Sequence, residues 1–364
     1  MPSALLRHAA ALDDLHAATR APIAVRTPWT TAWERALGDR AAWVVGVGDT
    51  ARLEAAVVLD RRRGRVVTDV VMLGDDSVDA ATLPARAGAA QALATTIAQA
   101  LGQLHGPWRL RLAQVDPTDE VLEALIPMLP SARVEPGQAC PSVRLDDRPA
   151  DAYASRNFRK EVAGALRRLD REGIAHAVEV TTAPDAALLD ELEAVRRDRD
   201  HDLDRVSDLD DPTYARWWRD VVTTLAGQGA VEVAVLRCDG QVAAYDLGIL
   251  DGAVYRLWDG RIAPAWRRHA PGQILDLLLL QRVAAAGRWE RLDLGRGETR
   301  YKGRLADEAL PQVTLRAWSA DALRAADDAW AAAGARLRAA KDADPRLEAA
   351  WLAAKRRFVL ARRR

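Results

Sequence analysis

The order strand, strand, strand, helix, strand occurs twice in this 364-residue chain, roughly 190 residues apart, and a repeat of that size constrains the fold more than any single motif. In the first copy Trp43–Val47, Leu53–Leu59 and Arg65–Leu73 are short β-rich runs, broken by Gly48-Asp49 and by a turn at 61–64. An alanine-rich stretch, Leu83–Leu104, predicts a helix, and Trp108–Val115 a further strand. In the second copy Ala230–Cys238, Gln241–Leu250 and Ala253–Asp259 are strands joined by Asp239-Gly240 and Asp251-Gly252, dipeptides that accept the positive φ of a tight hairpin. Ile274, Leu277, Leu278 and Val283 recur near helical spacing within Gly272–Ala286, Gly287 stops that helix, and Trp289–Leu294 is the closing strand. The repeat predicts an α/β (α+β) chain of two tandem related domains with mixed, mainly antiparallel sheets.

Between the copies, Ser155 caps a helix running to Arg171, with Phe158, Val162, Leu166 and Leu169 on its apolar side and Gly173 beyond its end. Ile174–Thr181 reads as a strand, Pro184–Arg197 and Pro212–Ala226 as helices, and Asp190–Asp211 as an acidic stretch able to hold a loop. After Trp318 the chain is Ala/Arg-rich and helical, with Leu323, Ala326, Trp330, Leu347, Trp351 and Leu352 marking apolar faces. The expected division is a degenerate first domain at 1–150, a second domain at 151–318 and a basic helical tail at 319–364.

Charge enters through its distribution. Lys and Arg total 52 against 52 Asp and Glu, which excludes a uniformly basic coat protein, yet the 319–364 segment holds 11 basic and 6 acidic side chains. Only four of the basic residues are lysines, Lys160, Lys302, Lys341 and Lys355, so each stands out from an arginine background. Cys140 and Cys238 lack metal-site spacing and read as reduced thiols. The first 20 residues carry Arg7, His8, Asp13 and Asp14 and have no continuous apolar run; no uncharged apolar stretch approaches 18 residues, and Asp276 interrupts the strongest, Ile274–Leu280. The expectation is a cytoplasmic chain without a membrane span.

Four groups of residues carry chemistry. Gly295 and Gly297 flank Arg296 directly after a strand, where two residues without Cβ let the backbone turn sharply and aim N–H groups at an oxyanion or phosphate. Lys302 lies seven residues on, and a cation at a developing oxyanion is worth several kcal/mol, on the order of the 2.7–4 of one oxyanion donor; the plain alternative is a turn and a solvated lysine. Glu298, between them, is a candidate base or amine-orienting group. Arg156, Lys160, Arg167 and Arg171 make one stripe of a helix, with Arg159 and Arg168 beside it, readable as a phosphate-binding face or as a solvated one. Arg267-Arg268-His269-Ala270-Pro271-Gly272 opens the second copy's helix; Gly272 and the arginines suit a pyrophosphate, Pro271 removes an amide, and Pro at a first turn is also simply a good helix start. Tyr245, Asp246 and Trp258 fall on neighbouring strands, as proton donor, amine ligand and wall, or as core. His269 reads as a possible base or a surface histidine at a helix entry. No Ser-His-Asp, Cys-His, metal or Walker arrangement is visible, so a covalent enzyme-bound intermediate is not indicated.

Taken together, Arg156-Asn157-Phe158-Arg159-Lys160 with Leu166-Arg167-Arg168-Leu169, Leu292-Asp293-Leu294-Gly295-Arg296-Gly297-Glu298-Thr299-Arg300-Tyr301-Lys302, and Pro271-Gly272 between them resemble the FemAB-like branch of the GNAT acyltransferase superfamily over residues 150–318. Over 25–145 the resemblance rests on Thr27-Pro28-Trp29 and Gly74-Asp75-Asp76, where that family has a degenerate first domain. Ala270 stands where acyl-CoA-binding members have the first glycine of their coenzyme loop. The resemblance implies acyl transfer to an amine, with a role at the oxyanion for the lysine of the family's Tyr-Lys pair. The expected catalytic residues are Lys302, Tyr301 and Glu298. The expected donor- and substrate-binding residues are Arg159, Lys160, Tyr245, Asp246, Trp258, Arg267, Gly272, Gly295, Arg296 and Gly297, with no metal. Acyl-CoA is the first expectation for the donor, aminoacyl-tRNA the alternative, and a small-molecule or peptide-like amine the acceptor; a binding module without turnover is the reading from another class.

Overall fold

The computed structural model describes residues 3–38, 42–74, 77, 79–297, 299 and 301–343. The first half begins with α1 (Ala4–Thr19) and α2 (Thr27–Leu37), followed by β1 (Trp43–Gly48), β2 (Leu53–Arg63), β3 (Thr68–Met72), α3 (Ala90–Gly102), β4 (Trp108–Val115), α4 (Glu120–Leu125) and β5 (Ser131–Pro136). The second half runs β6 (Cys140–Arg144), α5 (Arg156–Arg171), β7 (His176–Thr181), α6 (Ala186–Asp202), α7 (Pro212–Gly227), β8 (Val231–Cys238), β9 (Gln241–Asp251), β10 (Val254–Ile262), α8 (Pro271–Ala285), β11 (Arg291–Asp293) and β12 (Glu308–Leu310), and the chain ends in β13 (Val313–Trp318) and α9 (Asp321–Ala343).

Two mixed sheets result, ordered β1-β2-β3-β4-β13-β5 and β12-β6-β11-β10-β9-β8-β7. This is the tandem α/β architecture that the repeated order predicts. The halves are laced together, because β6 joins the second sheet beside β11 and β13 returns to the first sheet between β4 and β5. The β8–β9 hairpin turns through Asp239 and Gly240, at φ 47° and 79°, as an Asp-Gly dipeptide favours. Helix α3 begins at Ala90 rather than at Leu83: Pro84 holds the residue before it extended, and its carbonyl accepts the amide of Ala56 from β2. Ser155 Oγ accepts the amide of Phe158 and caps α5, which buries Phe158, Val162, Ala165 and Leu169.

Two features position the site. Strands β10 and β11 pair in parallel only from Val254–Arg256 against Arg291–Asp293. Beyond that, β11 ends while β10 runs on to Ile262 through a register shift between Leu257 and Asp259, so a wedge opens between them on the side where α8 begins. The second feature is an aromatic cluster shared by both halves. Trp29 and Trp33 of α2 meet Trp217 of α7 at centroid distances of 5.1 and 4.4 Å, and Trp29 lies 5.0 Å from Trp258 of β10. Each such pair adds about 0.5–1.5 kcal/mol beyond its area, which fixes the first half against the wall of the wedge. Among the described residues no helix is long and apolar enough to cross a membrane.

Candidate active site

The wedge opens into a cavity of about 950 Å³. Tyr245, Asp246, Trp258, Asp259, Arg261, Arg267, Gly272, Asp276, Gly295, Arg296, Tyr301 and Lys302 line it from the second half, Ser77 and Asp79 from the first, and Gln138 from the crossover between them.

At its inner end the segment after β11 turns back on itself. Gly295 has φ 75°, and a Cβ there would lie 2.8 Å from the Leu257 carbonyl of β10, so only glycine passes. The expectation that this loop aims its amides at substrate is not met: the Gly295 N–H donates to Asp293 Oδ1 (2.8 Å) and the Gly297 N–H to the Ala139 carbonyl (2.9 Å). The loop's carbonyls are what matter, because Lys302 Nζ donates to those of Gly295 (3.0 Å) and Arg296 (2.9 Å). An ammonium has three protons, so this holds the charge in place with one donor to spare. Burial pulls the lysine below its usual range, against the opposing pull of Asp79, Asp293, Cys140 and Asp276.

Asp79 reaches this loop from the first half. Its backbone carbonyl accepts from Gln114 Nε2 (3.1 Å) and Cys140 Sγ (3.2 Å), and its carboxylate lies 3.3 Å from Arg296 Nε. Burial nevertheless pushes its carboxyl up to about 6, outweighing the guanidinium. Deeper in the wall, Asp259 accepts from Arg196 Nη1 (2.7 Å), Trp218 Nε1 (2.9 Å) and Arg261 Nη1 (3.0 Å), with Tyr245 OH at 3.4 Å. It is buried, but these cations hold it below the usual carboxylate range, so it is a fixed anion that orients its neighbours and not a base.

Of the residues expected from sequence, the cavity brings together Tyr245, Asp246, Trp258, Arg267, Gly272, Gly295, Arg296, Tyr301 and Lys302. Gly297 sits just behind, at φ 87°. Arg159 and Lys160 stay on α5 outside the cavity, Arg159 paired with Asp151 at 3.0 Å and Lys160 exposed. Glu298 lies outside the described residues, as do Asp75, Asp76, Arg300 and the tail from 344. Tyr245 is 1% exposed and its phenol is pushed up by burial, so it stays protonated. His269 is not at the surface: it is 1% exposed, outside the cavity lining, with Nε2 2.9 Å from Glu172. Arg196, Asp259 and Asp79 were not foreseen. Their partners lie 63 residues away for the Arg196–Asp259 pair and in the other half for Asp79, so no local pattern marks them.

Residues 156–303 match the acetyltransferase (GNAT) domain family. The second half of the chain therefore resembles a GNAT acetyltransferase domain. Solved structures show that the likeness in fold extends across both sheets. FemX superposes with a TM-score of 0.57 at 10% identity, over 87% of this chain and 96% of its own. The C-terminal domain of a putative lysylphosphatidylglycerol synthetase from Agrobacterium fabrum gives 0.55 at 15% identity, over 90% and 96%. L-PGS from Bacillus licheniformis gives 0.50 at 14% identity, over 79% and 90%. None of the curated proteins matches the chain. In this GNAT frame the wedge between β10 and β11, with the start of α8 on one side and Lys302 at its inner end, is the candidate active site. Among the described residues no group of His, Cys, Asp and Glu is placed to hold a metal ion.

Proposed function

We propose that the protein joins an acyl group to an amine inside this cavity, drawing the acyl group from an aminoacyl ester such as the 3′ end of charged tRNA. The observation that carries the transfer is Lys302: its ammonium, tied to the Gly295 and Arg296 carbonyls, presents a fixed positive charge to the oxyanion that forms when an amine attacks the acyl carbon. The amine attacks directly, the ester C–O bond breaks, and an amide and a free hydroxyl result.

The entry to α8 favours an aminoacyl ester over a thioester of coenzyme A. Pro271 has no amide, and Ala270, at φ 52°, donates its own to the Arg267 carbonyl (3.2 Å), which leaves Gly272 and Gln273 to hold a pyrophosphate. The exposed Arg156, Lys160, Arg167 and Arg171 on α5 offer a polyanion a landing face. Arg168 Nη1 donates to the Arg268 carbonyl, so this face adjoins the segment that carries Arg267 to the cavity wall. The second reading, acyl-CoA, is favoured by the same two free-standing amides and by Arg267. Arg159 and Lys160, outside the cavity, belong to donor docking in either case.

Incubating the protein with a mixed amine pool and either charged tRNA or labelled acetyl-CoA separates the two. The expected result is amide product from charged tRNA that ribonuclease abolishes. Ribonuclease-insensitive transfer from acetyl-CoA moves the protein to the coenzyme reading; absence of product from both donors leaves a binding module in its place.

A further inference from the structure

We propose that Asp246 of β9 and Asp276 of α8 form the seat that receives the acceptor as a primary ammonium and takes its proton before attack. This rests on the acyl-transfer reading above and names the chemistry of its acceptor.

Six carboxylates line the cavity, and four are engaged: Asp259 by Arg196, Arg261 and Trp218, Asp79 by Arg296, Asp200 by Ser207, and Asp208 by Arg196. Asp246 and Asp276 have no hydrogen bond or ion pair among the described residues. Room for the first is built into the sheet. Gly260 is paired with Asp246 across β9 and β10, and a Cβ on Gly260 would lie 2.2 Å from Asp246 Oδ1. Asp276 interrupts an apolar run in which Ile274, Leu275, Leu277, Leu279 and Leu280 are all buried. Asp276 itself is half-buried at the cavity wall, where a carboxylate is costly unless a cation answers it, and the nearby Lys302 is already committed to two carbonyls. Ser77 also lines the cavity; it is 5% exposed, and its Oγ has no partner among the described residues. Two unanswered carboxylates offer acceptors to the N–H donors of a primary ammonium; a quaternary ammonium or an alcohol of similar size leaves them unanswered.

The electrostatics agree with this placement. Both side chains line the cavity and are half-buried there, and burial raises both carboxyls, Asp276 to about 7, with the charges of Asp276 and Asp259 adding to the rise at Asp246. The other charged and titratable groups facing them are Arg261 on β10, Tyr245 and Tyr255 on the sheet, and Tyr301 and Lys302 on the segment after β11; Lys302 alone counts appreciably, lowering Asp276. Asp276 therefore ionises near neutral pH, beside an Asp246 carboxyl that is itself raised. In the reaction the ammonium gives one proton to the pair, the nitrogen lone pair forms the bond to the acyl carbon, and the ester C–O bond breaks. The second proton lost by nitrogen goes to the departing oxygen, and the pair returns its proton to solvent.

The test uses the full-length protein and 1,5-diaminopentane as probe, followed by calorimetry. At pH 8 we expect saturable binding by the wild type, at least tenfold weaker at pH 5.5 and in Asp246→Asn and Asp276→Asn, and none for tetramethylammonium or 1-pentanol. Equal affinity in wild type and in either variant, indifference to pH, or failure of the wild type to bind overturns the proposal. The pH and tetramethylammonium arms need no variant, so a folding defect in one does not decide the matter. Amide formation at the wild-type rate in both variants removes the ammonium seat and leaves acyl transfer standing; selective diamine binding without product from any donor does the reverse.

Discussion

Replacing Lys302 by alanine will lower turnover in amide formation roughly 10²–10³-fold, the range set by removing one preorganised oxyanion donor. The same change removes two hydrogen bonds to backbone carbonyls, at about 0.5–1.5 kcal/mol each, so a modest loss of stability accompanies it. The two effects are separable. Lys302→Arg restores a positive charge and donors for the two carbonyls, but its planar guanidinium cannot place that charge where the compact ammonium holds it, so it will recover folding without recovering turnover. Steady-state kinetics beside thermal melting of both variants checks this. A Lys302→Ala enzyme with wild-type kcat would remove the lysine from the chemistry.

The largest expected effect on stability lies at Asp259. Changing it to alanine strips Arg196, 4% exposed, of its close charged partner and leaves it only long contacts, 3.4 Å to the exposed Asp208 and 3.3 Å to the Tyr214 hydroxyl. Breaking a buried pair from one side costs about 3–5 kcal/mol, a large share of the 5–15 kcal/mol that holds an ordinary domain together. Replacing both members, as Arg196→Met with Asp259→Leu, removes the orphaned charge and should recover much of the loss. Denaturant midpoints of the three variants decide it. A single variant within 1 kcal/mol of wild type would show that water already reaches the pair.

Much of this arrangement is legible before any coordinates. The hairpin dipeptides and the repeated strand-helix order fix most of both sheets, since those signals are local. The short strands β5, β6 and β12 and the returning β13 escape notice because their pairing is remote; Glu308–Leu310 is a strand only because Cys140–Ser142 lies beside it. The site divides along the same line. Gly295, Tyr301 and Lys302 stand in one dense polar motif, and nine of the residues expected from sequence do meet at the cavity. Asp79 carries no local mark, because the fold alone brings it to Arg296. Asp276 did carry one: a lone carboxylate that interrupts the apolar run Ile274–Leu280 and also marks a wall of the cavity. The basic stripe of α5 is real and exposed, but the geometry of the wedge places it outside the cavity.

The central claim is that acyl donor and amine meet where β10 and β11 part. A crystal structure of the protein with an inert donor analogue, an amide-linked aminoacyl adenosine, tests it most directly. The account predicts the analogue's carbonyl oxygen within about 2.6–3.2 Å of Lys302 Nζ, with its adenosine leading out past Arg267. An analogue bound elsewhere, or bound in the cavity with its carbonyl turned away from Lys302, would contradict it.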